Sequence, residues 1–79
     1  MEISQAIKEV RRLQASVMDG HAAKGCGLSI YARDGEYSVT AHKSGADGAP
    51  RWCNVVFSRR TRQKYLQGKI NRLRSFVLA

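Results

Sequence analysis

Ile3, Ala6, Ile7, Val10, Leu13, Val17 and Met18 recur at steps of three and four residues, the period of a helix with one apolar stripe. Lys8, Glu9, Arg12 and Ser16 fill the other side, where Glu9 and Arg12 form a surface pair. The pattern predicts a helix over 3–19, ended by Asp19-Gly20, because glycine enters the left-handed C-terminal position without steric cost. The period then changes to two. Residues 28–33 and 36–43 read as strands joined by Asp34-Gly35, a strong signal for a two-residue hairpin turn. Such a turn sets Arg33 opposite Glu36 and therefore Leu28 opposite Ala41, Ile30 opposite Val39 and Ala32 opposite Tyr37. Those apolar pairs share one face, and Ser29 with Thr40 and Tyr31 with Ser38 share the other.

A turn-rich segment, Ser44-Gly45-Ala46-Asp47-Gly48-Ala49-Pro50, follows. Residues 51–57 alternate as a third strand, with Cys53, Val55 and Phe57 on the apolar face. Trp52, Asn54 and Val56 join Tyr31, Arg33 and His42 on the other. In the last segment Leu66, Ile70, Leu73 and Val77 form a seam flanked by Tyr65 and Phe76, which predicts a helix over 59–77 capped by Ser58 or Thr61. The same wheel sets Arg60, Lys64, Asn71 and Arg74 on the face away from the seam. Gly68, near the middle of this helix, marks either close packing or a weak point. The expectation is a single α+β domain over 1–79. It has two layers in the order α-β-β-β-α, a three-stranded antiparallel sheet with both helices on one face and the opposite face open.

Charge changes this picture. The 79 residues carry 14 Lys and Arg against 6 Asp and Glu, a net charge of +8. All of the excess lies after residue 50, where Arg51, Arg59, Arg60, Arg62, Lys64, Lys69, Arg72 and Arg74 occur without one carboxylate. That asymmetry points to a polyanion or an acidic protein surface as partner. The run Ser58-Arg59-Arg60-Thr61-Arg62-Gln63-Lys64 opens the last helix in this reading. Cations there oppose the helix dipole, and a bound phosphate would relieve that cost. A solvated polar face is the plainer alternative.

The order helix, three strands, helix, with a basic run opening the second helix, resembles the double-stranded-RNA-binding domain. In that family a lysine-rich cluster at this position contacts phosphates across the major groove, which by resemblance implies such a role for Arg59, Arg60 and Arg62. The tight Asp34-Gly35 turn departs from the family's longer loop, and the last helix lacks its alanine-rich packing face.

Other chemistry finds less support. Tyr31, Trp52, Arg33 and His42 on the open sheet face can stack on unpaired bases or serve a protein contact, and the plainer alternative is structural, with Trp52 packed under the 44–50 loop or across a dimer interface. His21, Cys26, His42 and Cys53 are zinc-ligand types at spacings that match no compact ligand pair, so no metal is expected. The glycines at 20, 25 and 27 lack a Gly-Lys-Ser/Thr ending and follow a helix, which excludes a Walker phosphate loop. No carboxylate pair or oriented nucleophile is evident, so neither catalysis nor a cofactor is expected. Two cysteines are too few for a disulfide framework. The chain has neither a signal-peptide pattern nor an apolar run of membrane-spanning length, so a cytoplasmic protein without membrane contact is expected.

These observations predict a small basic nucleic-acid-binding protein that uses Arg59, Arg60, Arg62 and Lys64, extended by Lys69, Arg72 and Arg74. The competing expectation is an inhibitor or adaptor that docks on an acidic or nucleic-acid-binding surface of a larger protein. A homodimer formed through the C-terminal residues or the open sheet face is compatible with both.

Overall fold

Each change of apolar period along the chain marks a change of element. The computed structural model describes residues 1–18, 26–45 and 47–78. Its elements are α1 (Ile3–Met18), β1 (Gly27–Arg33), β2 (Glu36–Ser44), β3 (Pro50–Ser58) and α2 (Gln63–Leu78). The expected stop at Asp19-Gly20 and the glycine-containing loop through residue 25, including His21, lie outside the described residues.

The strands form one antiparallel sheet in the order β1-β2-β3. Asp34 and Gly35 both have positive φ, 53° and 79°, as a type I′ turn requires. This turn fixes the first register, with Arg33 facing Glu36, Ile30 facing Val39 and Leu28 facing Ala41. β2 continues to Ser44 and β3 begins at Pro50, so both run slightly longer than their alternation alone indicates. In the connection Gly45 N–H donates to the Ala49 carbonyl at 2.7 Å and Ala49 N–H donates to Asp47 Oδ1 at 3.0 Å. Gly48, at φ 81°, supplies the left-handed residue. Across the second register Val39 faces Val55 and Tyr37 faces Phe57, whose rings stack 5.5 Å apart.

Both helices cover the same sheet face. α1 packs on β1, α2 packs on β2 and β3, and the helices touch each other. The core holds Ala6, Val10 and Leu13 of α1, Val39 and Ala41 of β2, Cys53, Val55 and Phe57 of β3, and Leu66, Ile70, Leu73 and Val77 of α2. Every one of these side chains lies on the stripe or strand face that the sequence period assigns to the interior. Lys43 closes the far end of α2. Its ammonium donates to the Phe76 carbonyl at 2.8 Å and lies 4.6 Å from the Phe76 ring centroid, a favourable place for a cation at a helix C-terminus.

α2 starts later than its seam suggests, at Gln63 and not at residue 59. β3 runs through Ser58, and the chain must reverse direction before a helix can fold back over the sheet. Ser58 and Thr61 serve that reversal and do not cap the helix. Ser58 N–H donates to Thr61 Oγ1, Arg60 N–H donates to Ser58 Oγ, and Thr61 N–H donates to the Ser58 carbonyl, at 3.0, 3.2 and 3.0 Å. Hydroxyl residues stabilise turns in this way. The Arg62 carbonyl accepts from both Tyr65 N–H and Leu66 N–H at 3.0 Å, so Arg62 occupies the N-cap position.

Gly68 is exposed, and a Cβ built on it would meet nothing within 4 Å. It is a weak point in the helix and not a close contact. Gly68→Ala should therefore stabilise the fold by about 1 kcal/mol, read as a higher urea midpoint. An unchanged or lower midpoint would contradict an open helix surface at this position.

Candidate nucleic-acid interface

The basic residues of the C-terminal third separate into groups that differ in what they touch. Arg59 and Arg60 sit on the β3–α2 turn, Arg62 on the N-cap and Lys64 in the first turn of α2, and all four side chains are exposed. Among the described residues none of the four forms an ion pair. Lys64 Nζ lies 5.1 Å from the Tyr65 ring centroid. The turn is held by Ser58 and Thr61, which leaves the arginine side chains without a structural task. Four cations thus meet within one reversal of the chain, at the helix end where free N–H groups already make the potential positive.

Arg74 belongs elsewhere. Expected on the face away from the seam, it stands only about 70° from the seam's middle at about 100° per residue, and its guanidinium donates to Glu9 Oε2 of α1 at 2.8 Å. Glu9 also accepts from Arg12 at 3.0 Å, so one carboxylate answers two arginines at the helix–helix contact. Arg74 is thus paired at a partly exposed helix–helix contact, unlike the four cations of the turn. Lys69 is half-buried and Arg72 exposed. The helical step of about 100° puts Arg72 on the flank opposite Arg74, away from α1.

The sheet brings carboxylates to the basic run that chain order does not show. Because Glu36 faces Ser58 across β2 and β3, the hairpin turn stands beside the β3–α2 turn. Asp34, Gly35 and Glu36 form one wall of an open cleft whose other wall is Ser58, Arg59 and Arg60. These carboxylates lower the positive potential at Arg59 and Arg60, while Arg62 and Lys64 lie outside that cleft.

The outer sheet face is the second surface. Gly27, His42 and Trp52 form one cross-strand row, Ser29, Thr40 and Asn54 the next, then Tyr31, Ser38 and Val56, and finally Arg33, Glu36 and Ser58. Trp52 and Tyr31 are 66% and 64% exposed, so neither packs beneath a loop. The His42 ring lies 5.2 Å from the Trp52 ring. A Cβ on Gly27 would stand 2.7 Å from His42 Cε1, so the missing side chain of Gly27 is what lets the imidazole lie down on the sheet. The Arg33–Asp34 pair, at 3.6 Å, is exposed on both sides and contributes little stability.

Among the described residues, those weighed for metal chemistry are not brought together. Cys53 is buried in the core while His42 points outward from the neighbouring strand. Burial pushes the Cys26 thiol up, with Lys43 opposing in part, which disfavours a reactive thiolate. Among the described residues no three His, Cys, Asp or Glu side chains converge on a point. No described helix is long and apolar enough to cross a membrane.

No protein-family model, curated protein or solved structure matches this chain. The resemblance to the double-stranded-RNA-binding domain thus rests on element order and on Arg59, Arg60 and Arg62 alone.

Proposed function

We propose that this chain is a small, non-enzymatic nucleic-acid-binding protein that grips the phosphate backbone with little sequence specificity. The observation that carries this reading is the contrast between Arg74 and the run before it. Arg74 is matched by Glu9 at the helix–helix contact, whereas Arg59, Arg60, Arg62 and Lys64 are exposed and unmatched by any ion pair among the described residues. Positive charge held without a partner at the N-terminus of a helix raises the local potential and costs helix stability. A phosphate backbone offsets that cost, and contacts to phosphates carry no base information. Lys69 and Arg72 extend the footprint along α2.

The rival reading is an adaptor or inhibitor that docks on an acidic or nucleic-acid-binding surface of another protein. The neighbourhood of Asp34 and Glu36 to Arg59 and Arg60 favours it, since a mixed-sign surface suits a protein partner better than a polyanion. Purified chain mixed with labelled duplex and single-stranded oligonucleotides separates the two. A nucleic-acid binder retards these probes alone at moderate salt, with affinity that falls as salt rises. An adaptor leaves the probes free and co-elutes only with its protein target.

A further inference from the structure

We infer that the outer sheet face is a platform for unpaired nucleobases, so that the ligand of this protein is a single strand whose bases lie flat on β1–β3. The inference rests on the nucleic-acid reading above and adds to it the form of nucleic acid and a second contact surface.

Three features of the face carry it. The first is a pair of aromatic platforms. Trp52, with His42 beside it, marks one end of β3, and Tyr31 lies on β1 two rows further along. At about 3.3 Å per residue and about 4.8 Å between strands, the two platforms stand roughly 16 Å apart on a diagonal. Both rings are more than half exposed, and base–aromatic stacking is the sequence-tolerant contact that single-strand binders use.

The second feature is the row between them. Asn54 Nδ2 donates to Thr40 Oγ1 at 2.9 Å, to Ser38 Oγ at 3.1 Å and to the Val39 carbonyl at 3.2 Å. Because Ser38 and Thr40 accept from the amide, each hydroxyl retains its own proton to donate outward. Asn54 Oδ1 has no hydrogen-bond donor among the described residues and remains an acceptor. Donors and an acceptor are thus fixed side by side between two stacking rings, the arrangement needed to meet the edges of unpaired bases. In a duplex those edges are already paired.

The third feature is the distribution of charge. On the face itself the only charged side chains are Arg33 and Glu36, which face each other at one end. The platform between the aromatics is neutral, while Arg59, Arg60 and Arg62 follow Ser58 at one end of β3. From Trp52 to Arg59 is about 23 Å along β3, a span of about four nucleotides, the short end of the range for such sites. Bases on the neutral centre with the phosphates led onto the arginines of the β3–α2 turn satisfy this pattern.

Trp52 is the one tryptophan of the chain, so its emission reports on the platform directly. The full chain is titrated with a labelled twelve-nucleotide thymidine or uridine strand, and in parallel with a duplex of equal length. Trp52 fluorescence should be quenched by the single strand, which should bind more tightly than the duplex. Tyr31→Ala and Trp52→Ala should each weaken single-strand binding by about 5- to 100-fold and leave duplex binding unchanged. Tyr31→Phe and Trp52→Phe, which retain a stacking ring, should restore most of the loss. These side chains are exposed, so the circular dichroism spectrum should not change. Single-strand affinity indifferent to both alanine variants, with Trp52 emission unmoved at saturation, would overturn the platform. Binding of both probes that still depends on Arg59, Arg60 and Arg62 would then leave the phosphate reading standing. Absence of any probe binding would overturn both.

Discussion

Reversing Arg59, Arg60 and Arg62 to glutamate together is expected to weaken nucleic-acid binding by about two orders of magnitude at ~0.15 M salt. Each neutralised phosphate contributes roughly 0.7 of a logarithmic unit at that ionic strength through counterion release, and the new carboxylates add repulsion. The fold should not suffer. All three side chains are exposed, and the turn beneath them is held by the hydroxyls of Ser58 and Thr61. Glutamate beside the N-terminus of α2 favours the helix dipole, by about 0.3–1 kcal/mol per charge at low salt, while at 59 and 60 it faces Asp34 and Glu36 across the cleft, which offsets that gain. Binding should therefore fall in this variant while stability stays close to that of the parent. If the run were only a solvated polar face, stability would hold in the same way and no affinity would be lost. Fluorescence anisotropy with a labelled duplex, beside a urea melt of the same protein, measures both quantities.

Ile70→Ala is expected to leave a large fraction of the chain unfolded at 25 °C. Ile70 is fully buried, in the middle of the α2 seam and within the cluster that joins both helices to the sheet. Replacing such a side chain by alanine costs about 2–5 kcal/mol, from lost transfer energy and from the cavity left behind. A single core in a chain this short supplies only about 3–5 kcal/mol in all. The same change at Tyr65, exposed on the same helix, should cost about 0.5 kcal/mol or less. Urea unfolding followed by far-ultraviolet circular dichroism should thus show a midpoint near zero for Ile70→Ala and near that of the parent for Tyr65→Ala. Equal midpoints for the two would mean that α2 is not docked through its seam.

The register of β1 and β2 was legible because two independent signals agree. Asp34-Gly35 admits a tight turn with positive φ at both residues, and only one register then puts Leu28, Ile30, Val39 and Ala41 on one side. The α2 seam was legible for the same reason, as four large apolar residues at helical spacing have no other use in a small domain. The start of α2 was not legible. Ser58 and Thr61 read as caps in one dimension, and their role in reversing the chain depends on where β3 ends. Arg74 was misplaced on the wheel, since at about 100° per residue it stands on the flank of the seam, about 70° from its middle, where a second helix can reach it. Its partner Glu9 is 65 positions earlier, and only the packing of the two helices brings them together. The carboxylates beside Arg59 and Arg60 escaped for a related reason. Asp34 and Glu36 reach that turn through the β2–β3 register, which the loop from 45 to 49 does not announce. The charge excess was plain in the sequence, whereas its local answer required the sheet.

The salt dependence of binding tests the phosphate account most directly. A duplex oligonucleotide titrated with the purified chain between about 50 and 200 mM salt should give a straight line of log K against log salt. If Arg59, Arg60, Arg62 and Lys64 each neutralise one phosphate, its slope is about −3.6, because each contact contributes about −0.9. A slope near zero, or no association with nucleic acid until a protein partner is added, would contradict it.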